Sequence, residues 1–376
     1  MIRCDVLVVG AGPAGSAAAA TLAAGGCRVL LVEKDRFPRD KVCGEFLAGG
    51  ALLSLDRLGA LTAVEAAGPE RIGEGSVSPA RGGDVPFRLP SPAFGLSRRA
   101  LDALLAEHAG RAGAEVRFGV RALSIAGGAE AGFEARLGTE GGSEEVAARA
   151  VVGAWGRWDA LDRSLDRGFL RRPRYFGWSR DYGGATGFLA GKVRLYLFPG
   201  GYCGLSRVER GEVNLAGVIS ESARRAIGGG WEAVVEHARL GNRQLDLDLS
   251  RLEPGPRGFL GTVPVVFTAK PPVERGMLMA GDAAGVLDPF SGEGQSSALA
   301  SGILAGDIIL AYLGGGLTAA AHPRAYETAW RERFAKRFAW SAMLRTLILD
   351  PRLSRIAARL AGERLVRFAI GRLSGG

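Results

Sequence analysis

Read as a pattern of apolar and polar positions, the chain opens on Cys4 to Val9, a short, mostly apolar and β-branched run suited to a strand buried on both faces. A glycine turn follows, then an alanine-rich stretch to about Ala24 that reads as a helix and closes near Gly25-Gly26. Arg28 to Glu33 is a second strand, completing a β-α-β unit. Ala51 to Leu61 carries apolar residues at helical spacing and ends at Gly59, and Ile72–Val77 and Val85–Leu89 read as two short strands around an R-G-G-D turn. Ser97 is a natural N-cap for an amphipathic helix with Leu101, Leu104, Leu105 and His108 on one face. Strands are predicted at Glu115–Phe118, Ala122–Ile125, Gly132–Arg136 and Val146–Gly153, and again at Tyr175–Arg180, Lys192–Phe198, Tyr202–Val208 and Glu212–Ile219. A helix at about Trp231–Leu240 interrupts the second group. Gly276 to Asp282 is one more short strand, a long helix starts near Gly294, and the chain from Ala325 onward is mostly helical with a break at Asp350-Pro351.

The pattern predicts an α/β protein. A Rossmann-type domain is assembled from residues 1–70, 93–160 and 258–324, with an inserted antiparallel β-sheet domain from 71–92 and 161–257 and a helical region at 325–376. At 376 residues the chain is long enough for two or three packed regions. The net charge of +9 is uneven: residues 321–376 hold 12 Lys/Arg against 4 Asp/Glu, leaving about +1 for the rest. Basicity therefore belongs to the C-terminal region, and no nucleic-acid partner is expected. The four cysteines show no C-x-x-C spacing and the three histidines sit in no motif, which argues against a metal site or a hydrolase triad. The β-α-β unit begins at the N-terminus without a leader pattern, and Ala298–Ala321 is broken by Asp307 and glycines, so a cytoplasmic setting is expected, peripheral to a membrane at most.

The chemistry begins in the first glycine turn, Gly10-Ala11-Gly12-Pro13-Ala14-Gly15, a G-x-G-x-x-G pattern between strand and helix. Gly10 permits the turn, Gly12 lets a pyrophosphate approach, Gly15 lets helix and strand pack closely, and Pro13 suits the first helical position. Glu33, at the end of the second strand, is placed to accept the hydroxyls of an adenosine ribose, with Lys34 beside it. The unit binds a dinucleotide, NAD or FAD.

A second motif narrows the choice. Gly281-Asp282-Ala283-Ala284-Gly285, then Asp288-Pro289 and Gly292-Glu293-Gly294, resembles the second flavin motif of the glutathione-reductase-like FAD enzymes, closest to the aromatic-hydroxylase superfamily and its geranylgeranyl-reductase-like branch. Arg98-x-x-Leu101-Asp102-x-x-Leu105 looks like that family's FAD-contacting helix, and Lys41-x-Cys43-Gly44-Glu45 resembles the branch's K-x-C-G-[GE] segment beside the flavin. Arg194 to Pro199 is similar to the branch's Y-x-W-x-F-P motif, with Tyr196 at the tryptophan position. The resemblance implies FAD as cofactor, held by Gly10, Gly12, Pro13, Ala14, Gly15, Glu33, Lys34, Arg98, Gly281, Asp282, Pro289, Gly292, Glu293 and Gly294. It further implies Cys43 and Glu45 at the reacting end and Tyr196, Phe198 and Trp178 around an apolar substrate.

Two chemistries compete, and the reading taken from the sequence is monooxygenation, with C=C saturation as the alternative. The fold's precedent favours monooxygenation of an apolar small molecule of specialised metabolism. The K-x-C-G-E segment favours saturation of a C=C bond, as does Ala154-Trp155-Gly156-Arg157 where hydroxylases carry Asp-Gly. That departure leaves the external reductant open between NAD(P)H and a reduced electron carrier. A non-catalytic flavoprotein or lipid escort is the third reading. The amphipathic region 325–376 is expected to cap the substrate domain or to meet an anionic membrane surface or an acyl-carrier protein.

Overall fold

The computed structural model describes residues 1–81, 83–167 and 174–349. The apolar runs read from the sequence build the centre of the first sheet. Strands Met277–Met279, Gly142–Gly153, Ile2–Val9, Val29–Glu33 and Glu115–Phe118 lie side by side in that order, all parallel. Val6, Leu7 and Val8 are fully buried because helices cover one face of the sheet and the hairpin Arg121–Gly128/Gly132–Thr139 adds to the other side. The second sheet has eight strands, in the order Leu252–Gly261, Tyr175–Gly184, Val213–Ser220, Gly201–Arg207, Lys192–Phe198, Glu70–Ser78, Val85–Gly95 and Phe46–Leu47. Its pairings are antiparallel except between Lys192–Phe198 and Glu70–Ser78.

This sheet is larger than its predicted segments. The expected boundary at 258 falls inside the strand Leu252–Gly261, and Phe46–Leu47 joins the sheet from within the N-terminal segment. Gly276–Asp282 is a strand only over Met277–Met279; Gly281–Ala283 is a 3-10 turn. Helices Glu221–Ile227 and Arg243–Leu249, too short to show a clear periodicity, were not predicted. The C-terminal helix runs His322–Leu349, and the expected break at Asp350-Pro351 with everything after it lies outside the described residues.

What positions the site is the contact between two helices far apart in sequence. Helix Gly294–Leu313 lies along helix Pro13–Ala24 because small residues meet at the seam. A Cβ on Gly302 would stand 2.1 Å from the Ala14 carbonyl oxygen, and one on Gly306 would stand 2.8 Å from Thr21. The contacts advance together, Ala14 with Gly302, Thr21 with Gly306 and Gly25 with Leu310, so the helices run parallel and both N-termini point the same way. The Gly294 helix begins about two turns earlier, so its N-terminus projects roughly 12 Å beyond that of the first helix at 1.5 Å per residue. This is also the one helix among the described residues long and apolar enough to cross a membrane, and it is packed inside the first domain.

Candidate active site

The glycine turn, the Lys41–Phe46 loop, the Arg98 helix and the Gly281–Gly294 loop line one cavity of about 270 Å³. Gly12, Pro13, Ala14 and Arg98 stand on its wall with Cys43, Glu45 and the Pro289–Gln295 run, and with Lys41, Arg157 and Asp282. The face of the second sheet closes it. Small residues of Tyr175–Gly184, Val213–Ser220 and Gly201–Arg207 (Gly177, Gly204, Ser206, Ala216, Gly217) give way to large apolar ones (Val193, Leu195, Phe87, Leu89) on Lys192–Phe198 and Val85–Gly95.

Tight glycine contacts shape the nucleotide end. A Cβ on Gly15 would come within 1.8 Å of the Gly10 carbonyl oxygen, so only glycine brings helix and strand together here. Glu33 is buried, and its carboxylate accepts from the Ala11 amide at 2.8 Å and the Asp35 amide at 3.1 Å. It thus stitches the turn to the second strand and retains lone pairs for ribose hydroxyls. With Gly10, Lys34, Trp155 and Asp159 it borders a small adjoining cleft, in which the Lys34 ammonium is paired to Asp159 at 2.9 Å. Ser97 caps the Arg98 helix by accepting from the Ala100 amide, which brings Arg98 into the wall. Arg98 grips Asp102 with two 2.7 Å bonds. Burial alone would weaken its hold on the proton, but Asp102 and Cys43 beside it outweigh that, so it is a fixed cation.

The reacting end gathers more than the sequence indicated. Cys43 Sγ accepts from the Glu45 amide and from Gln295 Nε2, each at 3.4 Å, and the Cys43 carbonyl accepts from Asn214 at 2.9 Å. Glu45, held at φ +54°, accepts from the Arg98 amide at 3.0 Å; burial lifts its pKa to about 7, against the pull of that bond and of Arg257. Burial, with the neighbouring Arg98, Arg39 and Arg157, lowers half-buried Lys41 to about 8. Tyr202 Oη donates to Asp288 and accepts from the Phe290 amide at 3.1 Å, tying the second sheet to the Gly281–Gly294 loop. Gln295 and Asn214 carry no motif of their own, and only strand pairing and loop closure bring them here, whereas Asp288 belongs to the D-P of the second motif.

The substrate wall corrects the sequence reading. Tyr196 and Phe198 do not line the cavity. In the strand Lys192–Phe198 the side chains alternate, and Val193 and Leu195 face inward, whereas Tyr196 and Phe198 are buried on the opposite face beneath helices Trp231–Gly241 and Arg243–Leu249. There Tyr196 Oη and Arg194 both donate to fully buried Asp248 at 2.7 Å. Trp178 borders the cavity, yet its side chain is fully buried in the same core, against Gly217.

The pocket fits FAD. A Cβ on Gly12 would meet only Arg98, at 3.9 Å, and one on Gly44 or Gly294 would meet nothing within 4 Å, so backbone lies open to a ligand along the wall. The helix N-termini at Pro13 and Gly294 provide amides for a pyrophosphate at one station and for the electron-rich edge of a flat ring at the other.

Residues 3–174 match the FAD binding domain family. A digeranylgeranylglycerophospholipid reductase from Methanothrix thermoacetophila is 31% identical over 361 residues, spanning 90% of this chain and 85% of that protein. The chain belongs to the geranylgeranyl-reductase-like FAD-dependent oxidoreductases. A menaquinone reductase from Mycolicibacterium smegmatis is 28% identical, spanning 96% of this chain and 88% of that one. Among solved structures, a geranylgeranyl bacteriochlorophyll reductase-like protein from Thermoplasma acidophilum superposes with a TM-score of 0.77 at 22% identity, covering 100% of this chain and 92% of that one. The flavin-dependent brominase Bmp2 superposes at 0.82 and 19% identity, covering 99% and 94%, and shares the fold.

Proposed function

We propose that this flavoenzyme reduces a carbon–carbon double bond in an apolar, isoprenoid-type molecule. The observation that carries the reading is Glu45: a buried carboxylic acid with a pKa near 7, beside the Cys43 thiol, on the wall of a cavity whose far side is apolar. Full-length similarity to proteins named for reducing a prenyl lipid and menaquinone supports it. Bound FAD supplies the hydride. The protein supplies the rest: Phe87, Leu89, Val193 and Leu195 hold the apolar substrate and exclude water, and Glu45 in its acid form delivers the proton to the second carbon. Cys43, fixed by Gln295 and Asn214, packs beside the reacting carbons. The lipid is drawn from an anionic membrane surface through the basic region 325–376, and removal of residues 350–376 is expected to abolish binding to anionic liposomes without loss of FAD.

Monooxygenation is the second reading, favoured by the hydroxylase-type fold and by the apolar residues on the sheet side of the cavity, which would exclude water from a reactive oxygen species. One experiment separates the two. Flavin is photoreduced without oxygen in heavy water and mixed with a menaquinone or polyprenyl alkene. Reoxidation with two deuteriums added across the former double bond, one from the flavin and one from the exchangeable acid, establishes the reductase. Reoxidation only when labelled oxygen is admitted, with label in the product, establishes the monooxygenase. Ligand binding with neither outcome establishes an escort.

A further inference from the structure

Glu293 is the second buried acid on the cavity wall, and double-bond reduction does not use it. It is 2% exposed and occupies the position just before helix Gly294–Leu313. The nearest charge is the Arg337 guanidinium of the C-terminal helix, at 3.6 Å, beyond a good hydrogen bond. Arg337 is itself shared, reaching Ser297 Oγ at 3.4 Å and lying over the Phe334 ring at 5.7 Å. From helix Gly49–Arg57 the group facing Glu293 is Gly50, where a Cβ would lie 4.0 Å from Oε2, and that approach brings no charge. The other titratable groups at this end are Cys43 and Glu45 on the facing loop, and Asp288 on the preceding turn, which is occupied by Tyr202 and by Arg345 at 3.8 Å.

An ionised Glu293 places a negative charge at the helix N-terminus that favours negative charge on a reduced flavin ring, so the two anions compete for one positive end. We propose that Glu293 takes up one proton from solvent when the bound flavin is reduced and returns it on reoxidation, with Arg337 as the positioning residue that holds it anionic in the oxidised enzyme. The inference rests on FAD occupying this cavity and is independent of which substrate is reduced. In the step, the flavin gains two electrons from the external reductant, a reduced carrier or NAD(P)H, with its own proton. The Glu293 carboxylate gains one further proton and becomes the acid. Burial already lifts Glu293 to about 7, so the uptake falls in the neutral range.

The test is the two-electron midpoint potential of the holoenzyme between pH 5.5 and 8.5, by spectroelectrochemistry, with FAD affinity measured in parallel. Wild type is expected to show one proton per two electrons more than Glu293→Gln across the neutral range. That is a tenfold change in the reduction equilibrium per pH unit, or about 30 mV. Arg337→Gln is expected to move the inflection upward by about one pH unit and Arg337→Lys to restore it. Glu45→Gln, which removes the other acid of similar pKa, is expected to leave the slope intact. An unchanged slope in Glu293→Gln, or its loss in Glu45→Gln, overturns the proposal. If Glu293→Gln does not retain FAD, Glu293→Asp keeps a titrating group one methylene shorter, and an unmoved inflection there overturns the proposal equally.

Discussion

One wall of the cavity is made of loops, with residues drawn from the contiguous stretches Gly10–Gly15, Lys41–Phe46 and Gly281–Gly294. The other is the face of the second sheet, which takes single residues from separate strands: Gly177, Gly204, Ala216, Leu195, Phe87. In the first wall the glycines do one of two things: at Gly10 and Gly15 a side chain would collide with backbone, and at Gly12, Gly44 and Gly294 its absence leaves the backbone open. In the second, along the strand Lys192–Phe198, a residue one position from Leu195 leaves the cavity and becomes core. In the proposed reading the first wall holds the cofactor and the second chooses what lies against it.

The largest expected effect breaks the first wall. Gly15→Val drives a side chain into the Gly10 carbonyl oxygen and parts helix from strand, and Gly302→Val drives one into the Ala14 carbonyl oxygen and parts the two helices. FAD content is expected to fall by at least about 100-fold, read as the flavin-to-protein ratio, or the chain to come out insoluble, since overpacking of this kind is among the severest changes. Next is Glu45→Gln, expected to slow turnover by about 100-fold with FAD retained, the usual size of a lost proton donor. The pH profile gives the sign. The acid form is the working form, so the wild-type rate is expected to hold below about 7 and fall tenfold per unit above it. The Glu45→Gln rate should be flat over the same range in stopped-flow assays.

The second wall is tested by neighbours on one strand. Leu195→Trp fills the cavity and is expected to raise KM about tenfold for a long apolar substrate. Tyr196→Phe, one residue on, leaves KM alone but strips a donor from buried Asp248, lowering stability by about 1–3 kcal/mol in urea unfolding. The smallest effect is at the surface. The Arg57–Asp307 pair is half exposed, and Arg57→Ala is expected to change stability by less than about 1 kcal/mol with no effect on flavin.

The same contrast explains what could be read beforehand. The G-x-G-x-x-G turn, Arg98 and the Gly281–Gly294 motif are local patterns, and the structure brings all three to one cavity. Cys43 and Glu45 were also legible, but the contacts of the Cys43 thiol with Gln295 and of its carbonyl with Asn214 arise only when three distant segments close. Tyr196 and Phe198 were assigned to the wrong face because alternation along Lys192–Phe198 shows two faces without saying which one helices will cover. The helices that cover it, from Trp231 to Leu249, lie more than 30 residues away in sequence and include one too short to be read.

The account turns on an apolar alkene sitting against Leu195 while FAD lies along the glycine loops. The direct measurement is the anaerobic rate at which photoreduced flavin is reoxidised by an unsaturated prenyl quinone, in wild type, Leu195→Trp and Tyr196→Phe side by side. The account predicts fast reoxidation in wild type and Tyr196→Phe and a loss of at least about tenfold in Leu195→Trp, with equal FAD content in all three. Reoxidation that survives Leu195→Trp and is lost in Tyr196→Phe, or no reoxidation of wild type until oxygen is admitted, would contradict it.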